Sequence, residues 1–147
     1  MRGGSIVRQF PTRLATGAFI LNSGLSKLRA DDETAKHLHE MARDAYPFLD
    51  SIDARPFTRA LGVAEVGVGG ILLLPIFAEG FAGAVLVAFS GGLLGLYARL
   101  PGMREGNSLR PTQRGTPLAK DSWMLGIGTS LILEGVGNRL RARRHRD

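Results

Sequence analysis

A chain of 147 residues is the size of one domain. It has no cysteine, so it has no disulfide, thiolate nucleophile, CxxC redox pair or covalently held haem of its own. Nineteen Lys and Arg against thirteen Asp and Glu give a net charge of +6 and a sequence pI near 10.7, a balance that suits nucleic acid, anionic lipid or the charge asymmetry of a membrane protein. The apolar residues, 44% of the chain, and most of its 20 glycines are gathered into four stretches, a distribution that argues against a water-soluble globule.

Residues 10–28 are apolar apart from Arg13 and Lys27 and read as a first spanning helix. Basic residues precede it, as in a secretory signal, but no small-x-small cleavage site follows, so an uncleaved helix is expected. Residues 31–46 change character. Asp31, Asp32 and Glu33 make an acidic helix start, and Ala35, Leu38, Ala42, Ala45 and Tyr46 recur at helical spacing, which predicts a short amphipathic helix. Its stripe faces a membrane surface or the ends of neighbouring helices, and Pro47 stops it.

Residues 59–77, broken by Glu65, and residues 81–99 read as a helical hairpin turning at Glu79-Gly80. The 19 residues 80–98 carry no charge, close to the roughly 20 residues needed to cross about 30 Å of hydrocarbon. A soluble helical protein is the rival reading, but a soluble helix needs a polar face, and this one offers only Ser90 and Tyr97. A Gly- and Pro-rich loop over 101–116 leads through Lys120-Asp121-Ser122 to a fourth apolar helix, 122–138. A basic tail follows over 139–147. The sequence thus predicts one all-α domain, a membrane bundle of four transmembrane helices with one amphipathic interfacial helix. The density of the C-terminal arginines puts both termini in the cytoplasm, although basic residues are more numerous in the connectors between helices.

Small residues recur at heptad spacing, Gly17 with Gly24, Gly62 with Gly69 and Gly128 with Gly135, as tight helix packing in lipid requires. The charges are more informative, because an ionisable group in a spanning helix is costly and calls for a partner or water. Arg13, Gly17, Ile20, Gly24 and Lys27 share one stripe, its two charges about 21 Å apart at 1.5 Å per residue. In an up-and-down arrangement Lys27 lies level with Glu65, and Arg13 with Glu134, with Asn22 between the two layers. This candidate network of Arg13, Asn22, Lys27, Glu65 and Glu134 locks helix register, with the cations snorkelling to the headgroups, or lines a polar cavity for a quinone headgroup, a proton or a small solute.

No metal site is expected. Glu33, His37 and Glu40 share a helix face, but no further ligand pair completes the usual set of four. Arg139, Arg141, Arg143 and Arg144 follow an apolar helix without aromatic residues for base stacking, so they read as a contact with anionic headgroups or a protein partner rather than nucleic acid.

The first helix, Arg13-Leu-Ala-Thr-Gly17-Ala-Phe-Ile-Leu-Asn-Ser23-Gly24-Leu-Ser-Lys27-Leu28, resembles the opening helix of the DoxX-like family of small four-helix bacterial membrane proteins. Glu65 followed by glycines and leucines, and Lys120-Asp121-Ser122-Trp123 before the last helix, are also similar. The amphipathic insert is unlike the family. The resemblance implies a multi-pass inner-membrane protein, in some relatives a subunit associated with quinone-linked sulfur oxidation or oxidative-stress enzymes. With no cofactor or catalytic motif of its own, the expectation is a non-catalytic subunit or scaffold, with quinone as the cofactor class of its complex. The alternatives are a carrier using Lys27, Glu65 and Glu134, and the quinone-site subunit of an oxidoreductase. The expected partners are the lipid bilayer, a protein of a membrane complex and further copies of the chain.

Overall fold

The computed structural model describes the backbone of residues 2–144 and the side chains of residues 8–144. It is all-α. Helix α1 runs Arg2–Leu28 and carries Pro11 inside it. It starts well before residue 10, where the apolar run begins. The last turn of α1 tightens, with the Ala30 N–H donating to the Lys27 carbonyl at 3.2 Å. Asp31 then caps α2 (Asp32–Ala45), its carboxylate accepting from the Thr34 N–H at 2.8 Å, which satisfies one of the N–H groups a helix start leaves open.

Pro47 ends α2 and opens a short 3-10 turn, Pro47–Ser51. Helix α3 is Ala54–Leu73. It begins earlier than the expected 59 because Pro56 falls in the first turn, where its missing N–H costs nothing. It stops short of the expected 77 because Pro75 drives Leu74 out of the helical region, to φ −84° and ψ 120°. Helix α4 is Glu79–Arg99, α5 is the single turn Thr116–Ala119, and α6 is Ser122–Arg144. The segment expected as a basic tail is therefore α6 continuing through Arg139, Arg141, Arg143 and Arg144, arginine being a good helix former. Arg146 and the rest of 145–147 lie outside the described residues.

Helix α1 packs chiefly along α3, and α4 along α6. Glycine sets both contacts. A Cβ at Gly24 would lie 2.7 Å from the Gly62 carbonyl oxygen, and one at Gly69 would lie 2.8 Å from that of Gly17. Gly83 and Gly128 face each other in the same way across α4 and α6. One apolar core joins the two pairs through Ile20, Val68, Leu72, Leu86, Met124 and Leu131.

The apolar side of α2 is taken up by protein. Ala35, Ala42 and Ala45 are buried, Thr58 donates to the Ala35 carbonyl at 3.4 Å, and the Tyr46 hydroxyl reaches the Gly92 carbonyl at 2.9 Å. An exposed pair, Arg55 with Asp32, ties α2 to α3. The loop between α4 and α6 is a folded cap. Met103 is buried against Tyr97 and Leu100, Tyr97 donates to the Leu109 carbonyl at 2.8 Å, and Arg104 and Pro111 form an isolated antiparallel bridge.

Two helices, α3 and α4, are long and apolar enough to cross a membrane. Only 33% and 28% of their most apolar 18-residue windows are buried within the protein. The other two long helices, α1 with 27 residues and α6 with 23, exceed the spanning length but fall below the same standard of apolarity among the described residues.

Candidate functional site

Two polar layers occupy opposite ends of the four long helices. At the first, Lys27 on α1 meets Glu65 on α3, Nζ to Oε2 being 2.9 Å, and the same ammonium donates to the Ser23 hydroxyl one turn back at 2.8 Å. Glu65 is 3% exposed, a depth at which an isolated carboxylate is not tolerated and a paired one is. The layer has a third member that the sequence reading used only as a helix start. Asp121, in the turn between α5 and α6, is 7% exposed and feels the charges of Lys120, Glu65 and Lys27. Burial raises its carboxyl above the ordinary range, the two lysines pulling it back and Glu65 adding to the rise. The signal for it was the triplet Lys120-Asp121-Ser122, but its proximity to Glu65 depends on α5, which no periodicity announces.

At the opposite end the expected Arg13–Glu134 pair does not form, and each finds other partners. Arg13, 8% exposed, donates to the carbonyls of Leu72 at 2.8 Å, Ile71 at 2.9 Å, Leu74 at 3.1 Å and Phe77 at 3.4 Å. Ile71 and Leu72 lie in the last turn of α3, whose carbonyls Pro75 leaves without a following N–H, and Leu74 and Phe77 lie in the turn beyond it; a guanidinium suits both these lone pairs and the negative end of the helix dipole. Glu79, at the start of α4, adds a Coulombic attraction.

Glu134 on α6 instead receives Arg8, at 3.3 Å, and the side-chain amide of Gln9. Asn22 belongs to neither layer. It lies on the exposed face of α1, and the Ser26 hydroxyl bonds to its backbone carbonyl at 2.9 Å. Arg139, Arg141, Arg143 and Arg144 are all exposed on the last turns of α6.

A groove of about 550 Å³ runs between α1 and α6, bordered by Arg8, Gln9, Trp123, Ile127, Leu131 and Glu134. Two buried side-chain oxygens on α1 have no hydrogen-bond partner among the described residues: Gln9 Oε1 in the groove wall and Thr16 Oγ1 two turns further along the helix. Gln9 cannot be turned about to remedy this, because its oxygen would then face the Glu134 carboxylate.

The lining offers donors in Arg8, Thr12, Trp123 and Ser130 and acceptors in Gln9 and Glu134. Among the described residues no group of three or more His, Cys, Asp and Glu is placed to hold a metal ion.

No family model, curated protein or solved structure matches this chain.

Proposed function

We propose that this protein is an integral membrane bundle of four spanning helices, α1, α3, α4 and α6, of the DoxX-like kind, and that it acts as a non-catalytic subunit of a larger membrane complex. The observation that carries the membrane part is the uncovered apolar surface. Two-thirds or more of the apolar windows of α3 and α4 lies outside the protein interior, and Phe10, Val63, Ile76, Phe81 and Leu133 are each at least half exposed. A soluble core helix would be covered; these faces need an apolar solvent. Lys27 and Glu65 pair with each other, Arg13 is held by carbonyls and Glu134 by Arg8, the partners that a hydrocarbon setting demands.

The subunit part is supported by the polar ends. The folded cap over 100–115 and the exposed arginines of α6 offer surfaces for a soluble domain. Gentle solubilisation from the native membrane followed by native mass spectrometry tests this reading. A stoichiometric protein partner is the expected result, and a bare homo-oligomer carrying only lipid contradicts it.

The second reading, a proton-coupled carrier, draws on Asp121 beside the Lys27–Glu65 pair and on the unpartnered Thr16 between the layers. Reconstituted vesicles in which wild type and Glu65→Gln give the same flux would remove it.

A further inference from the structure

We propose that the groove between α1 and α6 binds a phospholipid whose headgroup carries a primary ammonium beside its phosphate, as phosphatidylethanolamine does; the inference rests on the membrane reading above. The groove has a polar end and an apolar end. From Glu134 to Trp123 it follows α6 for about 16 Å at 1.5 Å per residue, with Leu131 and Ile127 on its wall and Gly126 leaving room in its floor. That shape suits an acyl chain running down from a headgroup held at Glu134.

The polar end specifies which headgroup. Gln9 is 5% exposed and its Oε1 has no partner among the described residues, so an occupant that brings a hydrogen-bond donor is favoured. Glu134 accepts from Arg8 and Gln9 but has lone pairs to spare, since an ionised carboxylate offers about four acceptor sites. It therefore favours a donor that is also a cation. Arg8 places one guanidinium nitrogen on Glu134 and is largely exposed, leaving most of its five N–H donors for a phosphate.

A primary ammonium meets Gln9 and Glu134 while its phosphate meets Arg8. A quaternary choline has no N–H to give Gln9, and a glycerol headgroup has no cation to give Glu134. The depth is also right: Arg8 and Glu134 lie at the end of the helices where Arg13 closes α3 and α4 begins, which in a bilayer is the headgroup level.

The full-length protein, first shown to sediment with membranes, is reconstituted into nanodiscs with equal parts phosphatidylethanolamine, phosphatidylcholine and phosphatidylglycerol. The lipids that stay bound after mild detergent transfer are counted by native mass spectrometry. The ethanolamine lipid is expected to be retained over the choline lipid by roughly tenfold, the worth of one charge-assisted hydrogen bond.

That preference is expected to fall in Gln9→Leu and Glu134→Gln, and to vanish in Gly126→Leu, which fills the groove from a position where a Cβ meets nothing within 4 Å. Unfolding temperatures check that each variant is folded, and Glu134→Gln serves should Gly126→Leu fail that check. Equal retention of the three lipids, or a preference that survives in the folded variants, overturns the site. Protein that sediments with membranes yet shows no preference overturns the site alone, whereas protein left in the soluble fraction overturns the membrane reading with it.

Discussion

Lys27 and Glu65 join α1 to α3 by a 2.9 Å ion pair whose carboxylate is almost wholly buried. Such a pair is a poor source of net stability, because desolvating two ions offsets their attraction, yet removing one partner strands the other. Lys27→Met is therefore expected to cost about 3–5 kcal/mol, and Lys27→Met with Glu65→Met together much less than either alone. Unfolding in detergent, read as a double-mutant cycle, checks this. A cycle in which the two costs simply add would show that the pair is not coupled.

Asp121 makes the same layer sensitive to pH. Its carboxyl is raised in the folded protein, first by burial, so the folded state binds that proton more tightly than the unfolded chain does. The sign follows: this contribution to stability is greatest in acid and is lost as pH rises from the ordinary carboxylate range through the raised value. Asp121→Asn is expected to be more stable than wild type at neutral pH and to flatten that part of the stability profile. Chemical unfolding across the acid-to-neutral range reads it, and a variant destabilised at neutral pH would count against a desolvated carboxylate.

Thr16 is 1% exposed and its hydroxyl has no partner among the described residues. A buried polar group left unmade costs about 1–3 kcal/mol, and valine has nearly the same shape. Thr16→Val is expected to stabilise the fold by about 1 kcal/mol. A loss of stability would mean that the hydroxyl is engaged, and would direct attention to the carrier reading.

The glycines separate into two kinds that the same experiment distinguishes. At Gly24 and Gly83 an added Cβ meets the backbone of the facing helix, whereas at Gly67 and Gly126 it meets nothing within 4 Å. Alanine at the first two is expected to cost about 1–3 kcal/mol by forcing the helices apart. Alanine at the second two is expected to be neutral or to gain up to about 1 kcal/mol from helix propensity. Thermal unfolding of the four variants tells whether close backbone approach holds the two helix pairs.

The sequence carried much of this, and its gaps have physical causes. Helix order, the Pro47 stop and the shared level of Lys27 and Glu65 follow from spacing and rise per residue, which act along one chain segment at a time. Arg13 did not show its partners because they are backbone carbonyls, which exist as acceptors only where Pro75 ends α3. Glu134 turned to Arg8 and Gln9 rather than Arg13 because the choice depends on helix rotation, which periodicity leaves free by tens of degrees. Asp121 and the loop cap were hidden for a further reason: polar, Gly- and Pro-rich segments fold through specific turns, such as Thr112 bonding Gly102 at 2.6 Å, that no hydrophobic pattern records. The arginines after residue 138 look like a tail by composition, but a helix once started has no reason to stop there.

The proposed four-span bundle requires that α1 and α6, and not only the more apolar α3 and α4, cross the membrane. The absence of native cysteine makes single-cysteine labelling in intact membranes the most direct measurement. Cysteines at Phe19 on α1, Val63 on α3 and Leu133 on α6, all outward-facing apolar positions, are expected to resist a membrane-impermeant maleimide. Cysteines at Ser108 in the loop cap and at Arg141 on the last turns of α6 are expected to label from opposite sides. Rapid labelling at Phe19 and Leu133 with protection at Val63 would place α1 and α6 in water and contradict the four-span account.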